Sequence, residues 1–502
     1  MTVIGVPGLA SALVLVVPLS TGIGGPDDQG AATAPGVVVE RRGVEWAVLR
    51  REQASSAAAT VGRCDVSPGQ SNDTIVVGRL VLGDDGAERG AVLAAGGRIV
   101  AIGEPGAVQA AAPEATVIDC GAAYVSPGLV NAHEHPSYSG GFPDPRMRPM
   151  YSHREEWQGW AGDEHYPIEY ERTDDPVLQF WIELRHLLAG TTTLGGSGAV
   201  DGLLKNASWL DDPAYVYRAD MQTFPYGTAT ETFSGLTCPH DGPSPVEPAS
   251  SPDFPPEAPY TPHIAEGTNC TAALEGQFYL DHVAENPGRR YALIHGLGLG
   301  PASIDRLGEL DVTLVWSPPS NLALYGETVD VPSALRADAR IAIGSDWSYS
   351  GSYTLLEEFR CAEDVDRALW GDQLSGRDLW RMATEHAAYA LGLDGLTGRL
   401  APGLAADLMV FGARSDDPYA DLMAARTAHI LATFIDGVLV SGRWDAFDAA
   451  RLPDECGNRI GDHFLCVDYA ERAFDHDTLL RANANAVPLF STERQASCGT
   501  FE

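Results

Sequence analysis

Hydrophobic and polar positions change rhythm twice along this chain. From residue 74 to 120, short apolar runs at 75–81, 91–93, 97–102 and 115–118 alternate with Gly and Asp-Gly spacers. Such runs predict β-strands joined by tight hairpin turns. The same texture returns at 407–411, 428–435 and 438–440. Between these two β stretches the apolar spacing alternates between strand and helix. Helices are predicted over 176–188, 271–285, 303–310 and 378–391, and strands over 127–134, 191–195, 215–222, 260–264, 291–295, 312–316 and 341–345. Strands alternating with helices predict a parallel sheet or barrel. Seven strands are one short of a closed eight. The missing one is expected between Tyr226 and Pro259, where proline and glycine dominate.

Composition narrows the class. At 502 residues with 44% hydrophobic and 20% charged residues, the chain is globular and large enough for more than one domain. A formal charge of −36 argues against nucleic acid or anionic membrane as a partner, because phosphates would be repelled. No segment after the N-terminus reads as a membrane span. Residues 1–34 carry an apolar stretch at 9–19 that is too short to span a bilayer, followed by small residues near Ala31–Ala34. This reads as a signal peptide, although no basic residue precedes Arg41. Residues 35–63 read as a linker. Eight cysteines, none in a Cys-x-x-Cys pair, suit disulfides in an oxidising compartment. Cys238 with Cys270 and Cys456 with Cys466 are the local pairings. The expected location is extracellular or periplasmic, or cytoplasmic if the first segment is not a signal peptide.

The chemistry concentrates in four short pieces. His133 and His135 lie two apart in a predicted strand, so both side chains face one side and can share a metal ion. His263 with Glu266, then His295, then Asp346 follow in order, most of them at the end of an apolar run. Glu266 is three residues past His263, the wrong parity for one strand face. Both reach one site only if the backbone bends between them, and Gly267 is consistent with that bend. Glu134, between the first two histidines, should point away.

From about Asp73 to about Arg443 these motifs resemble the amidohydrolase superfamily. The resemblance is to the branch of cytosine deaminase, guanine deaminase, the triazine hydrolases and imidazolonepropionase. Gly190–Thr193, Trp316–Asn321 and Thr397–Leu408 support it. The resemblance implies an α/β fold, a (β/α)8 TIM barrel over 126–395, distorted at its fourth strand. A small discontinuous β-sandwich is built from 64–125 plus 396–445, and a cysteine-containing tail follows at 446–502. It also implies His133, His135, His263 and Asp346 as ligands of one divalent metal, zinc or else iron or manganese. Glu266 would shuttle protons, His295 would polarise the substrate, and Asp346 would also hold the attacking hydroxide. His153, Trp157 and Trp347 are the substrate-binding candidates, with Glu155 and Glu156 beside them. Ser320 and Asn321 read as residues that fix their loop, and His386 reads as no ligand.

Some relatives bridge two metals with a carboxylated lysine. Lys205 is the only lysine among 33 basic residues, and it reads as a surface residue at the start of a helix, which favours one metal. The implied activity is hydrolysis of a non-peptide C–N bond in a small molecule: deamination, or opening of a cyclic amide or imidazolone. The alternatives are a binuclear dipeptidase or ester hydrolase of the same fold, and a non-catalytic secreted binding protein. Assembly into a homo-oligomer stays open.

Overall fold

A computed structural model describes residues 62–490 and 498, except 85, 145–149, 161–165, 197–202, 209–218, 222, 252–253, 470–471, 473 and 483–485. The expected signal peptide and nearly all of the expected linker lie outside the described residues. Among the described residues, no helix is long and apolar enough to cross a membrane.

The two β stretches join in one ten-stranded, mostly antiparallel sheet. Strand Thr74–Val81 pairs antiparallel with Ala87–Ala95 and parallel with Thr116–Pro127, and Thr116–Pro127 pairs with Leu408–Phe411 from the far end of the chain. Val76, Val92, Val125, Leu408 and Phe434 meet in its core, each 0% exposed. The tail contributes as well. Asn458–Ile460 and His463–Leu465 extend the sheet beyond Val438–Arg443, so the β domain runs past residue 445.

Among the described residues, seven parallel strands lie between 126 and 395: Leu129–Glu134, Thr191–Gly196, Lys205–Asn206, His263–Ile264, Ala292–His295, Thr313–Trp316 and Ile341–Ile343. Six fall on expected runs; the strand expected over 215–222 lies mostly outside the described residues, and within it Asp220 bridges Tyr260. All seven are buried along their whole length. That is why they read as apolar runs rather than alternating ones. Residues between the strands continue the hydrogen bonding. Ala219 N donates to Ala207 O (2.9 Å), and Asp220 N donates to Pro259 O (2.8 Å). At the other edge Asp346 N donates to His133 O (2.9 Å), and His135 N donates to Asp346 O (3.1 Å), which ties the last strand to the first.

Helices between strands start on clear signals. Asp175 caps Pro176–Leu188, with proline at the first turn, and Asn269 caps Cys270–Glu285 by accepting from Ala272 N. The helix expected over 378–391 is two, Gly376–Met382 and Glu385–Ala390.

Two expectations are corrected. Among the described residues between Tyr226 and Pro259 the strand sought there is absent, and the one regular element is the short helix Ala229–Thr232. The extra strand is Lys205–Asn206, two residues long and too brief to leave a period. Lys205 is therefore not on a helix and not on the surface. It is 8% exposed, and its Nζ lies 2.6 Å from Asp407 Oδ1 and 2.7 Å from Asp436 Oδ1. These partners are more than 200 residues away in sequence, so no local pattern announces them.

All eight cysteines are paired: Cys64–Cys120, Cys238–Cys270, Cys361–Cys498 and Cys456–Cys466. The two local pairings read from the sequence are among them.

Candidate metal centre and active-site cavity

The carboxyl ends of the parallel strands bring His133, His135, His263, His295, Glu266 and Asp346 together. His133 Nε2 and His135 Nε2 are 2.9 Å apart, and each is 3.4 Å from Asp346 Oδ1. Donor atoms of His133, His263 and His295 form a second group, all within 4.8 Å of one another. Two ligands each about 2.1 Å from a common ion at a tetrahedral angle sit about 3.4 Å apart, so the first group has the spread a metal needs. His263 Nδ1 is buried with no hydrogen-bond partner among the described residues. Burial holds His133 and His263 well below the usual imidazole range and brings His135 to about 4 and His295 to about 3. All four are therefore neutral at physiological pH, the form that binds metal. Burial pushes the Asp346 carboxyl well above its ordinary range, and a cation beside it would reverse that push. The donor set fits a divalent ion.

Three non-glycine residues reach this site through left-handed backbone: Ala265 (φ 56°), His295 (φ 74°) and Asp346 (φ 62°). Such conformations are uncommon outside glycine and each costs on the order of 1–3 kcal/mol. Here they turn the chain sharply at strand ends. Ala265 resolves the parity problem, for the bend that brings His263 and Glu266 together lies there. Gly267 answers a different demand: a Cβ on it would lie 2.5 Å from Ser152 O.

Partners hold each group. Ser317 Oγ is 3.3 Å from His133 Nδ1, and Asn321 Oδ1 is 3.2 Å from His295 Nδ1. Ser320 Oγ donates to Asp346 Oδ2 at 2.5 Å. Tyr325 donates its hydroxyl to Glu266 Oε1 (2.7 Å) and accepts from Trp157 Nε1 (2.9 Å). Glu266 is 2% exposed, and burial raises its carboxyl to about 7, against the pull of Arg154 and Tyr325. Glu134 points the other way, accepting from Ser139 and Ser345 and lying 3.3 Å from His186 Nε2. Burial alone would raise its carboxyl, but His186 and Arg185 outweigh that and hold it at about 2. His386 lies away from the cluster, against Ile341 O.

A cavity of about 340 Å³ opens onto these groups. His135, His263, His295, Glu266 and Asp346 line it, with six aromatic side chains: Tyr138, Trp157, Trp160, Tyr170, Phe224 and Trp347. A larger cleft of about 790 Å³ lies beneath the opposite ends of the strands, beside Arg289, Tyr291 and Asp311, and contains none of the histidines.

Two of the three substrate candidates, Trp157 and Trp347, line the site cavity. His153 does not. It is fully buried, caps the short helix Arg154–Trp157 by accepting from Glu155 N, and lies 3.8 Å from Glu275 Oε1. Glu155 and Glu156 also bond inward, to Ala229 N and to Ser152. His153 stands outside the helix, on extended N-cap backbone (φ −155°, ψ 148°), and its side chain turns back to cap the first turn, whereas Trp157 sits in the helix and reaches the cavity. The sequence reading missed Tyr325, Tyr138, Tyr170 and Phe224. Tyr325 ends the helix Pro318–Tyr325, close behind the Ser320–Asn321 pair, and that proximity was the available signal.

Comparison with known proteins agrees with this geometry. Residues 260–440 match the amidohydrolase family. A 5-methylthioadenosine/S-adenosylhomocysteine deaminase of Syntrophobacter fumaroxidans is 27% identical over 412 residues, covering 72% of this chain and 90% of the relative. The fold is similar to a guanine deaminase from Bradyrhizobium japonicum (TM-score 0.53, 16% identity, 74% of this chain and 99% of that one). It is also similar to an adenosine deaminase from Xanthomonas campestris solved with bound zinc (TM-score 0.50, 17% identity, 83% and 98%). The amidohydrolase family match over residues 260–440, relatives of this kind and a buried histidine cluster suited to a divalent metal together give a deaminase-type amidohydrolase acting on carbon–nitrogen bonds other than peptide bonds.

Proposed function

We propose that this enzyme removes an exocyclic amino group from a planar nitrogen heterocycle, consuming one water and releasing ammonia. The observation that carries this reading is the convergence of four neutral histidines, Asp346 and Glu266 on one aromatic-walled cavity. The underlying architecture is a closed (β/α)8 barrel, supported by hydrogen bonds that run from strand to strand and return from Asp346 to the first strand. The discontinuous sheet packs as its accessory domain.

His133, His135, His263 and Asp346 would hold one divalent ion, zinc by analogy with the Xanthomonas relative. When bound, it would supply the Lewis-acid charge that makes water a nucleophile near neutral pH. The chain's own groups do the rest. Glu266, with a carboxyl at about 7, takes a proton from the attacking water and returns one to the departing nitrogen. His295, oriented by Asn321, faces the cavity beside Glu266 (Nε2 to Oε2, 3.7 Å) and hydrogen-bonds the substrate's ring nitrogen or carbonyl. Asp346, steadied by Ser320, orients the water. Trp157 and Trp347 form a wall for the ring. The single lysine is committed to Asp407 and Asp436, which removes the bridge a binuclear relative would use. The four disulfides favour an oxidising compartment outside the cytoplasm, and thiol titration of native protein checks this.

Ammonia release across amino-purines, pyrimidines, triazines and cyclic ureides, with metal analysis, tests the function. We expect turnover on at least one amino-heterocycle and about one ion per chain. His263→Ala should lose both activity and metal. Full metal occupancy in that variant would remove His263 from the ligand set.

A further inference from the structure

Two of the three tryptophans that line the cavity, Trp157 and Trp347, also end hydrogen-bond chains, and each chain leads to one of the two carboxylates in the site. Trp157 donates its indole N–H to the Tyr325 hydroxyl (2.9 Å), which donates to Glu266 Oε1 (2.7 Å). Trp347 donates its indole N–H to Ser350 Oγ (2.5 Å). Ser350 and Ser320 are 2.7 Å apart, and Ser320 donates to Asp346 Oδ2 (2.5 Å). Because the Ser320 hydrogen goes to Asp346, Ser350 must be the donor between the two serines. Every donor in both chains therefore points toward a carboxylate. The two indoles touch one another, with centroids 5.3 Å apart and planes at 44°. Tyr325 does not line the cavity, and it is only 7% exposed.

A wall built only to fill space would need no such wiring. Buried indole N–H groups do require a partner. Backbone carbonyls would serve for that, as Val487 O does for Trp181. Here both partners are hydroxyls that pass the bond onward. Hydrogen bonds in series strengthen one another in a low-dielectric site. Side chains held this way keep reacting groups within the fraction of an ångström that catalysis requires.

We propose that Tyr325 and the Ser350–Ser320 pair are positioning residues that couple the aromatic substrate wall to Glu266 and Asp346. A ring seated squarely on Trp157 and Trp347 leaves both carboxylates aligned, and a ligand that displaces either indole pulls on the carboxylate behind it. Selectivity for a flat ring is thereby expressed in turnover, beyond binding. The inference rests on the deaminase reading and adds to it the residues that link recognition to proton transfer.

The test uses metal-loaded, full-length enzyme and the best substrate of the ammonia-release panel. Tyr325→Phe keeps the ring and removes the hydroxyl. It should lower kcat about 10- to 100-fold with KM within about twofold and metal content unchanged, while the Trp157 N–H left unpaired should lower Tm by a few degrees. Trp157→Phe keeps an aromatic wall and removes the N–H, and it should lower kcat in the same direction. Because both belong to one chain, the double variant should be no slower than Tyr325→Phe alone. Tyr325→Phe with Ser350→Ala, on separate chains, should multiply their effects. Undiminished kcat in Tyr325→Phe, a change in KM alone, or multiplied effects for Trp157 and Tyr325 would overturn the coupling. If Tyr325→Phe does not fold, Trp157→Phe decides: normal kcat there overturns the chain to Glu266. A wild-type enzyme inactive on the whole panel overturns the functional reading together with the coupling. An active one with unaffected variants overturns only the coupling.

Discussion

Glu266 and Glu275 are both buried, both close to Arg154, and opposite in character. Glu275 pairs with the Arg154 guanidinium at 2.6 and 2.7 Å and accepts the backbone N–H of Ala265 (3.0 Å). Burial would raise its carboxyl, but Arg154 and His153 outweigh that and hold it at about 2. Glu266 has one hydroxyl donor, and burial carries it to about 7. Two carboxylates pushed apart by their surroundings divide the labour: one stays charged as a strut, and the other can exchange a proton near neutrality. The Lys205–Asp407–Asp436 cluster belongs with Glu275. It is internally complete and ties a parallel strand to the sheet. The general lesson is that a buried charge matched by its neighbours is structural. One left short of partners, on strained backbone at a cavity, is where chemistry happens.

Exchanging the two glutamates for glutamine separates these roles. Glu266→Gln should cost roughly 10²–10⁴ in kcat, the usual size of general acid–base catalysis, with metal content and Tm retained. Near-normal turnover would take Glu266 out of the reaction. Glu275→Gln should instead lower stability by about 3–5 kcal/mol, because it leaves the fully buried Arg154 without its counter-charge; urea denaturation measures this. Its pH signature follows from the sign of the shift. A carboxyl held at about 2 rather than 4.5 contributes fully above pH 4.5 and loses that contribution as pH falls toward 2. The glutamine variant should lack that acid limb. The smallest effect is expected at the other end of the strands. Lys205→Met should cost about 1–3 kcal/mol, less than Glu275→Gln because Asp436 is half exposed and screened. It should leave kcat within about twofold. Lys205→Met with Asp407→Asn should lose less than Lys205→Met alone, because burial already raises the Asp407 carboxyl in spite of the lysine. Loss of metal in Lys205→Met would contradict its structural role.

Much of the scaffold was legible from the chain. Fully buried parallel strands read as apolar runs, and capped helices such as Cys270–Glu285 carry their signals in adjacent residues. The histidines that converge were visible because each sits at the end of such a run. Lys205–Asn206 was missed because two residues hold no period, and what makes Lys205 buried is Asp407, 202 positions away. His153 and Trp157 looked equivalent in the same loop. The chain changes from extended backbone at His153 to helix at Arg154, which leaves His153 near Glu275 and carries Trp157 to the cavity.

By itself, the sequence determined which residue types stand at strand ends, and therefore that histidines able to share a divalent metal were encoded. Local spacing is enough for that, since a strand's two-residue repeat sets which side chains share a face. Only the tertiary structure decided which groups are left short of partners. The raised carboxyl of Glu266, the committed lysine and the chain from Trp157 through Tyr325 all depend on contacts between residues 59 to 231 positions apart. Burial and charge are properties of a neighbourhood, and the neighbourhood exists only once the chain has closed around it.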